Sequence, residues 1–141
     1  MLSLPQMSTR VSPLLGLSTP GGLTPQAAPW ELPSLTRKLD IDGLTIYATL
    51  ALAQGRPHTL MLACSKQGSL AHGLLGLLGA TASLALQEGV PLSKLCAQWR
   101  RTAFDPSGFT RDSQFPLVSS PMDAVAQWLE TLETRPENAR A

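Results

Sequence analysis

Residues 69–88, SLAHGLLGLLGATASLALQE, run without a charge until the final glutamate and carry glycine at positions 73, 76 and 79. The polar turn Ser65-Lys66-Gln67-Gly68 comes directly before them. The stretch is too apolar for a surface helix and too rich in glycine for an ordinary core helix, so it has to lie close to neighbours on more than one side. Set out at about 100° per residue, Leu70, Leu74, Leu77, Leu78 and Leu84 gather on one arc, with Leu75 and Leu86 at its edge. The opposite arc carries His72, Gly73, Gly76, Gly79, Ala80, Ser83 and Gln87, a strip with little side-chain bulk. The expectation is that the leucine arc covers a sheet. The smooth strip, His72, Gly73, Gly76, Gly79, Ala80 and Ser83, then forms an interface that admits a second helix, within the chain or across a dimer axis. A membrane span is the competing reading. It asks for about 20 apolar residues with aromatic anchors, whereas this stretch holds His72, Thr81, Ser83 and three glycines and has no Trp or Tyr belt, so a buried helix in a soluble chain is expected and no membrane partner.

Upstream of the helix the texture is that of a small sheet. Asp42-Gly43 sits between Leu39, Ile41, Leu44, Ile46 and Tyr47 and is a strong hairpin signal, so residues 36–41 and 44–52 read as antiparallel strands. Gln54-Gly55-Arg56-Pro57 has turn chemistry, and residues 58–64, HTLMLAC, follow as a third strand. Downstream, Gly89-Val90-Pro91 ends the long helix. Residues 91–101 then place Leu92, Leu95, Cys96 and Trp99 at helical spacing. Residues 104–118 form a loop of unusual length. Ser120-Pro121-Met122-Asp123 supplies an N-cap, a proline at N1 and an acid at N3 for a last helix reaching Thr134, whose outer face is expected to be acidic through Asp123, Glu130 and Glu133. The fold class is α+β, a three-stranded antiparallel meander followed by three helices.

The ends differ from this core. Residues 1–35 hold prolines at 5, 13, 20, 25, 29 and 33 and read as a disordered or extended arm, with Leu14, Leu15, Leu17 and Trp30 as anchors if it lies on a partner. Residues 36–134 form the domain, and 135–141 a flexible tail. Among 141 residues, 11 basic and 10 acidic side chains leave a net charge of +1, which argues against nucleic acid as a partner. Cys64 and Cys96 have no metal-ligand spacing and fit buried, reduced thiols of a cytoplasmic protein. No metal site and no export signal are expected.

The succession of a Gly-Arg-Pro turn at 55–57, a strand running into Lys66-Gln67-Gly68-Ser69, a helix rich in glycine and leucine closing with Leu84-Ala85-Leu86, and the Gly-Val-Pro break at 89–91 resembles the TSCPD domain. Phe104-Asp105-Pro106-Ser107-Gly108, Pro116 and Trp128-Leu129 are similar to a tail found beside it. The five-letter motif that names the family is absent here, as is a cysteine cluster. The family occurs as the C-terminal portion of adenosylcobalamin-dependent ribonucleotide reductases and as small stand-alone proteins. The resemblance therefore implies an accessory, regulatory or assembly module linked to ribonucleotide reduction, not an enzyme and with no cofactor of its own, since the chain has no counterpart of the reductase barrel.

Candidate chemistry is thin. Lys66, Gly68 and Ser69 precede a helix N-terminus, where free N–H groups can hold a phosphate, although the P-loop pattern is lacking. Arg100 and Arg101 at the start of the long loop would complete this anion site for a nucleotide or another phosphate, and Arg100, Arg101 and Arg111 with Phe104, Phe109 and Phe115 would stack bases or grip an acidic partner. The plainer reading has the phenylalanines anchoring the loop and the arginines solvated or paired with Asp105 and Asp112. His58 and Cys64 share a strand face about 20 Å apart, too far for a catalytic dyad, so no catalytic residue is assigned. Three functions remain: an interaction or regulatory module that self-associates as a homo-oligomer, expected to be a dimer, or binds a protein partner; a small phosphate- or nucleotide-binding module; and a structural subunit, for example of a virus particle, held by its N-terminal arm.

Overall fold

The computed structural model of this chain describes residues 31–65 and 68–134. Most of the arm expected over 1–35, the pair Lys66-Gln67 and the tail over 135–141 lie outside the described residues. Three strands, β1 (Ser34–Ile41), β2 (Leu44–Ala53) and β3 (Arg56–Cys64), form an antiparallel meander in that spatial order. Both connections are two-residue turns. Asp42 and Gly43 take φ of 46° and 86°, and Gln54 and Gly55 take 54° and 76°, the left-handed pair that a hairpin needs to match strand twist. The second turn is therefore shorter than expected, and Arg56 and Pro57 already belong to β3. Pro57 is tolerated because β3 is an edge strand.

One face of the sheet is the core face. Leu39 and Ile41, Ile46, Ala48, Leu50 and Leu52, and Leu60, Leu62 and Cys64 alternate inward along the three strands, so that Leu50 stands opposite Leu60 and Ala48 opposite Leu62. Tyr47 and Met61 point to the other face and are exposed.

Helix α1 (Leu70–Gln87) follows, with the Ser69 hydroxyl accepting from the His72 N–H at 3.1 Å as N-cap. It ends before Gly89, at φ 96°, as expected. Helix α2 (Leu92–Arg100) and helix α3 (Pro121–Glu133) pack on each other, and α3 also meets β1. The Ser120 hydroxyl accepts from the Asp123 N–H at 2.9 Å and Pro121 occupies the first turn, the predicted cap. The long loop is ordered by a two-residue ladder, β4 (Gly108–Phe109) with β5 (Leu117–Val118). Buried Phe115 and Val118 fasten it to the core.

Helix α1 is turned the other way from the sequence expectation. Its buried residues are Leu75, Gly79, Ala82, Ser83 and Leu86, whereas Leu70, Leu74, Leu77 and Leu84 face solvent. The reason lies at the free edge of β3. A sheet edge presents backbone groups that need partners, and a helix laid along it can supply them only if it comes very close. A Cβ at Gly79 would stand 2.9 Å from the Leu60 carbonyl oxygen and 3.2 Å from the Leu62 nitrogen, so only glycine allows this approach. One turn on, the Ser83 hydroxyl accepts from the Leu60 N–H at 2.8 Å and lies 3.0 Å from the Leu60 carbonyl. One further turn on, the Gln87 amide donates to the His58 carbonyl at 3.2 Å. Bulky leucines cannot take these places, and Leu70, Leu74, Leu77 and Leu84 are left outside while Leu78 is half-buried against the core.

Candidate functional site

The interface predicted on the smooth strip is divided by this packing. Gly79 and Ser83 are used up inside the molecule against β3, and His72 is half-buried. Gly73, Gly76 and Ala80 remain on the surface, and a Cβ at Gly73 or Gly76 would meet nothing within 4 Å. Beside them stand Leu70, Leu74, Leu77 and Leu84, exposed by 78%, 56%, 64% and 62%. The outward side of α1 is thus a leucine ridge flanked by small residues, and no charged residue lies anywhere on the helix. Met61, on the strand that Gly79 touches, is also exposed.

α1 is also the one described helix long and apolar enough to cross a membrane. Its hydrogen bonds to the edge of β3 nevertheless make it part of the sheet's own packing.

The anion site is placed less favourably. Lys66 lies outside the described residues. Gly68, at φ 77°, and the capping Ser69 do precede the N-terminus of α1. Arg100, however, is held by carboxylates: its Nε lies 2.6 Å from buried Asp123 and its Nη1 2.7 Å from Glu130. This pairing also corrects the acidic outer face expected of α3, because Asp123 turns inward and its Oδ2 accepts from the Ser119 N–H and the Gln127 amide, both at 2.9 Å. A carboxylate with that many donors and a cation is satisfied, which is the condition for burying it. Arg101 closes α2 and is exposed.

Sequence reasoning missed Arg37. It reaches from β1 to the long loop, pairs with Asp112, donates to Gln114 and lies over the Phe115 ring at 5.0 Å. The loop's acid is therefore met by a strand arginine and not by a loop arginine. Burial alone would raise the Asp112 carboxyl, but the hydrogen bond from Arg37 and the backbone N–H of Gln114 hold it below the usual carboxylate range. Only a register that puts Arg37 on the loop side could have revealed this, and sequence alone does not supply one. Of the three phenylalanines, Phe115 anchors the loop, while Phe104 and Phe109 stay exposed.

The thiols behave as core residues. Cys64 and Cys96 are both buried and neither is in a disulfide. Burial, with Glu133 and Glu130 nearby, pushes the Cys96 thiol up to about 12, the opposite of what a nucleophile needs. No group of three or more potential metal ligands occurs among the described residues.

Comparison with known proteins agrees with this architecture. The family model of the TSCPD domain matches residues 24–133. A vitamin B12-dependent ribonucleotide reductase of Rhodopirellula baltica is 34% identical over 97 residues, which is 68% of this chain and 9% of that protein. Those of Streptantibioticus cattleyicolor and Streptomyces clavuligerus are each 29% identical over 97 residues, covering 66% of this chain and 16% and 10% of the relatives. The chain thus spans at most about a sixth of the length of these relatives. No solved structure matches. With the meander, the helix rich in glycine and leucine and the two helices that follow all in place, and with the family model covering most of the chain, this protein belongs to the TSCPD domain family.

Proposed function

We propose that this chain is a non-catalytic protein-contact module that serves ribonucleotide reduction, with the outward face of α1 as its contact surface. The observation that carries the reading is that face: four leucines more than half exposed on a helix without a single charge. Scattered exposed leucines are ordinary, but a contiguous apolar ridge of this length marks an interaction site. The setting comes from the relatives, which are named as B12-dependent ribonucleotide reductases and resemble this chain over one short module. A regulatory or assembly role fits a module of this kind in a cytoplasmic enzyme system.

The nucleotide-binding reading is less favoured, because Arg100, one of its two loop cations, is bonded to Asp123 and Glu130. The reading of a subunit held by its arm rests on residues outside those described.

The test is binding to a purified B12-dependent ribonucleotide reductase, measured by biolayer interferometry beside the reductase's turnover. The full chain should bind or alter turnover, and the variant carrying Leu74→Glu with Leu77→Glu should do neither while melting as the parent does. A chain without effect on the reductase, but whose melting point rises with nucleotides, would replace this reading with the ligand-binding one.

A further inference from the structure

The exposed leucines of α1 are not merely numerous; their spacing is regular. Leu70, Leu74, Leu77, Thr81 and Leu84 recur at intervals of four, three, four and three residues, the spacing at which one helix presents a straight seam to another. Leu77 lies at the middle of that seam. Gly73, Gly76 and Ala80 run beside it as hollows. Glycine weakens a helix, and at 73 and 76 nothing among the described residues requires it, because a Cβ there would meet none of them within 4 Å. Gly79 has an internal reason; these two do not.

We propose that this seam pairs with the same seam of a second copy of the chain, antiparallel about a two-fold axis at Leu77. The proposal rests on the reading of this outward face as a protein-contact surface, not on the reductase being what it contacts. Antiparallel pairing about Leu77 sets Leu70 against the partner's Leu84 and sets Leu74 against the partner's Ala80, so a ridge meets a hollow on both sides of the axis. A two-fold interface needs one self-complementary patch, and this one provides it. Residues 69–87 carry no charge, so nothing repels an identical helix. Leu70, Leu74, Leu77 and Leu84 are each more than half exposed, so the seam offers four large apolar side chains to the contact, a patch of the kind that marks an interface.

Sedimentation of the full chain at high micromolar concentration should give twice the 15.0 kDa chain mass. Leu77→Glu sets two like charges at the axis and should weaken the dimer by about 100-fold or more without lowering the melting point. Leu84→Glu should do the same and covers the case in which the first variant fails to fold. Because Cys64 and Cys96 are buried, introduced thiols report the geometry. Under mild oxidation Leu77→Cys should cross-link to its own copy, Leu70→Cys alone should not, and Leu70→Cys with Leu84→Cys should. A wild-type monomer, a dimer indifferent to both glutamates, or efficient cross-linking of Leu70→Cys alone would each overturn the proposal. So would a monomer that co-sediments with phosphatidylcholine vesicles through the same leucines. If the chain is monomeric yet binds the reductase through this seam, the pairing fails and the contact reading stands; if it dimerises and ignores the reductase, the reverse holds.

Discussion

Of the two longest helices, α1 carries no charged residue in 18 positions and buries five of them, whereas α3 carries Asp123, Glu130 and Glu133 in 13 positions and buries nine. The more apolar helix is the more exposed one. The difference is in the neighbours. α3 has α2, β1 and β5 around it, so even Asp123 is enclosed and must be met by Arg100, Ser119 and Gln127. Among the described residues α1 has essentially β3, and it lies along the edge of that strand. Burial of a helix is set by how many surfaces enclose it, and a hydrophobic face without a second surface is surface available for a partner.

The widest separation between the two helices should appear on leucine deletion. Leu129→Ala removes a wholly buried side chain of α3 and should cost about 2–5 kcal/mol. Leu77→Ala, in dilute protein, should stay within about 0.5 kcal/mol of the parent. Urea denaturation of both variants measures the contrast, and equal losses would break it.

Within α1 the glycines should divide in the same way. Gly79→Ala sets a methyl 2.9 Å from the Leu60 carbonyl oxygen, a backbone atom that cannot step aside, and should cost about 1–3 kcal/mol despite the better helix propensity of alanine. Gly76→Ala meets nothing and should gain up to about 1 kcal/mol. Thermal melts read both signs, and a stabilising Gly79→Ala would remove the close approach to β3 from the account.

Ser83→Ala tests the edge cover itself. It takes away the acceptor of the Leu60 N–H and should cost about 1–3 kcal/mol, with faster amide exchange at Leu60 than at Leu62. Unchanged exchange at Leu60 would mean that water serves the edge as well as the helix does.

The smallest effect concerns the loop that supports α3. The Asp112 carboxyl is held below its unfolded value, so its contribution is complete above the ordinary carboxylate range and is lost as pH falls through the lower folded value. Asp112→Asn should lower the melting point slightly at pH 7 and not at all near pH 2. The pair is partly solvated, which keeps the difference modest.

Most of the fold was legible because it rests on local rules. Asp42-Gly43 announces a hairpin, Ser120-Pro121 a helix start and Gly89-Val90-Pro91 a helix end, each through the backbone angles those residues accept. The site was only half legible. The wheel separated leucines from small residues correctly, but it contains no information on which arc meets the sheet. Hydrophobicity favoured the leucines. The unpaired backbone of β3, which hydrophobicity does not count, favoured Gly79 and Ser83. Arg37 and Asp112, 75 residues apart in sequence, were invisible for a related reason: an ion pair between a strand and a distant loop leaves no periodic trace.

By itself the sequence determined the three-stranded meander, the three helices, their order and the uncharged, two-faced character of α1, because turn angles, caps and side-chain period are properties of neighbouring residues. Only the tertiary structure decided the rotation of that helix. The free N–H and C=O groups of an edge strand demand a partner at bonding distance, only the glycine and serine side of the helix comes that close, and Leu70, Leu74, Leu77 and Leu84 are left on the outside.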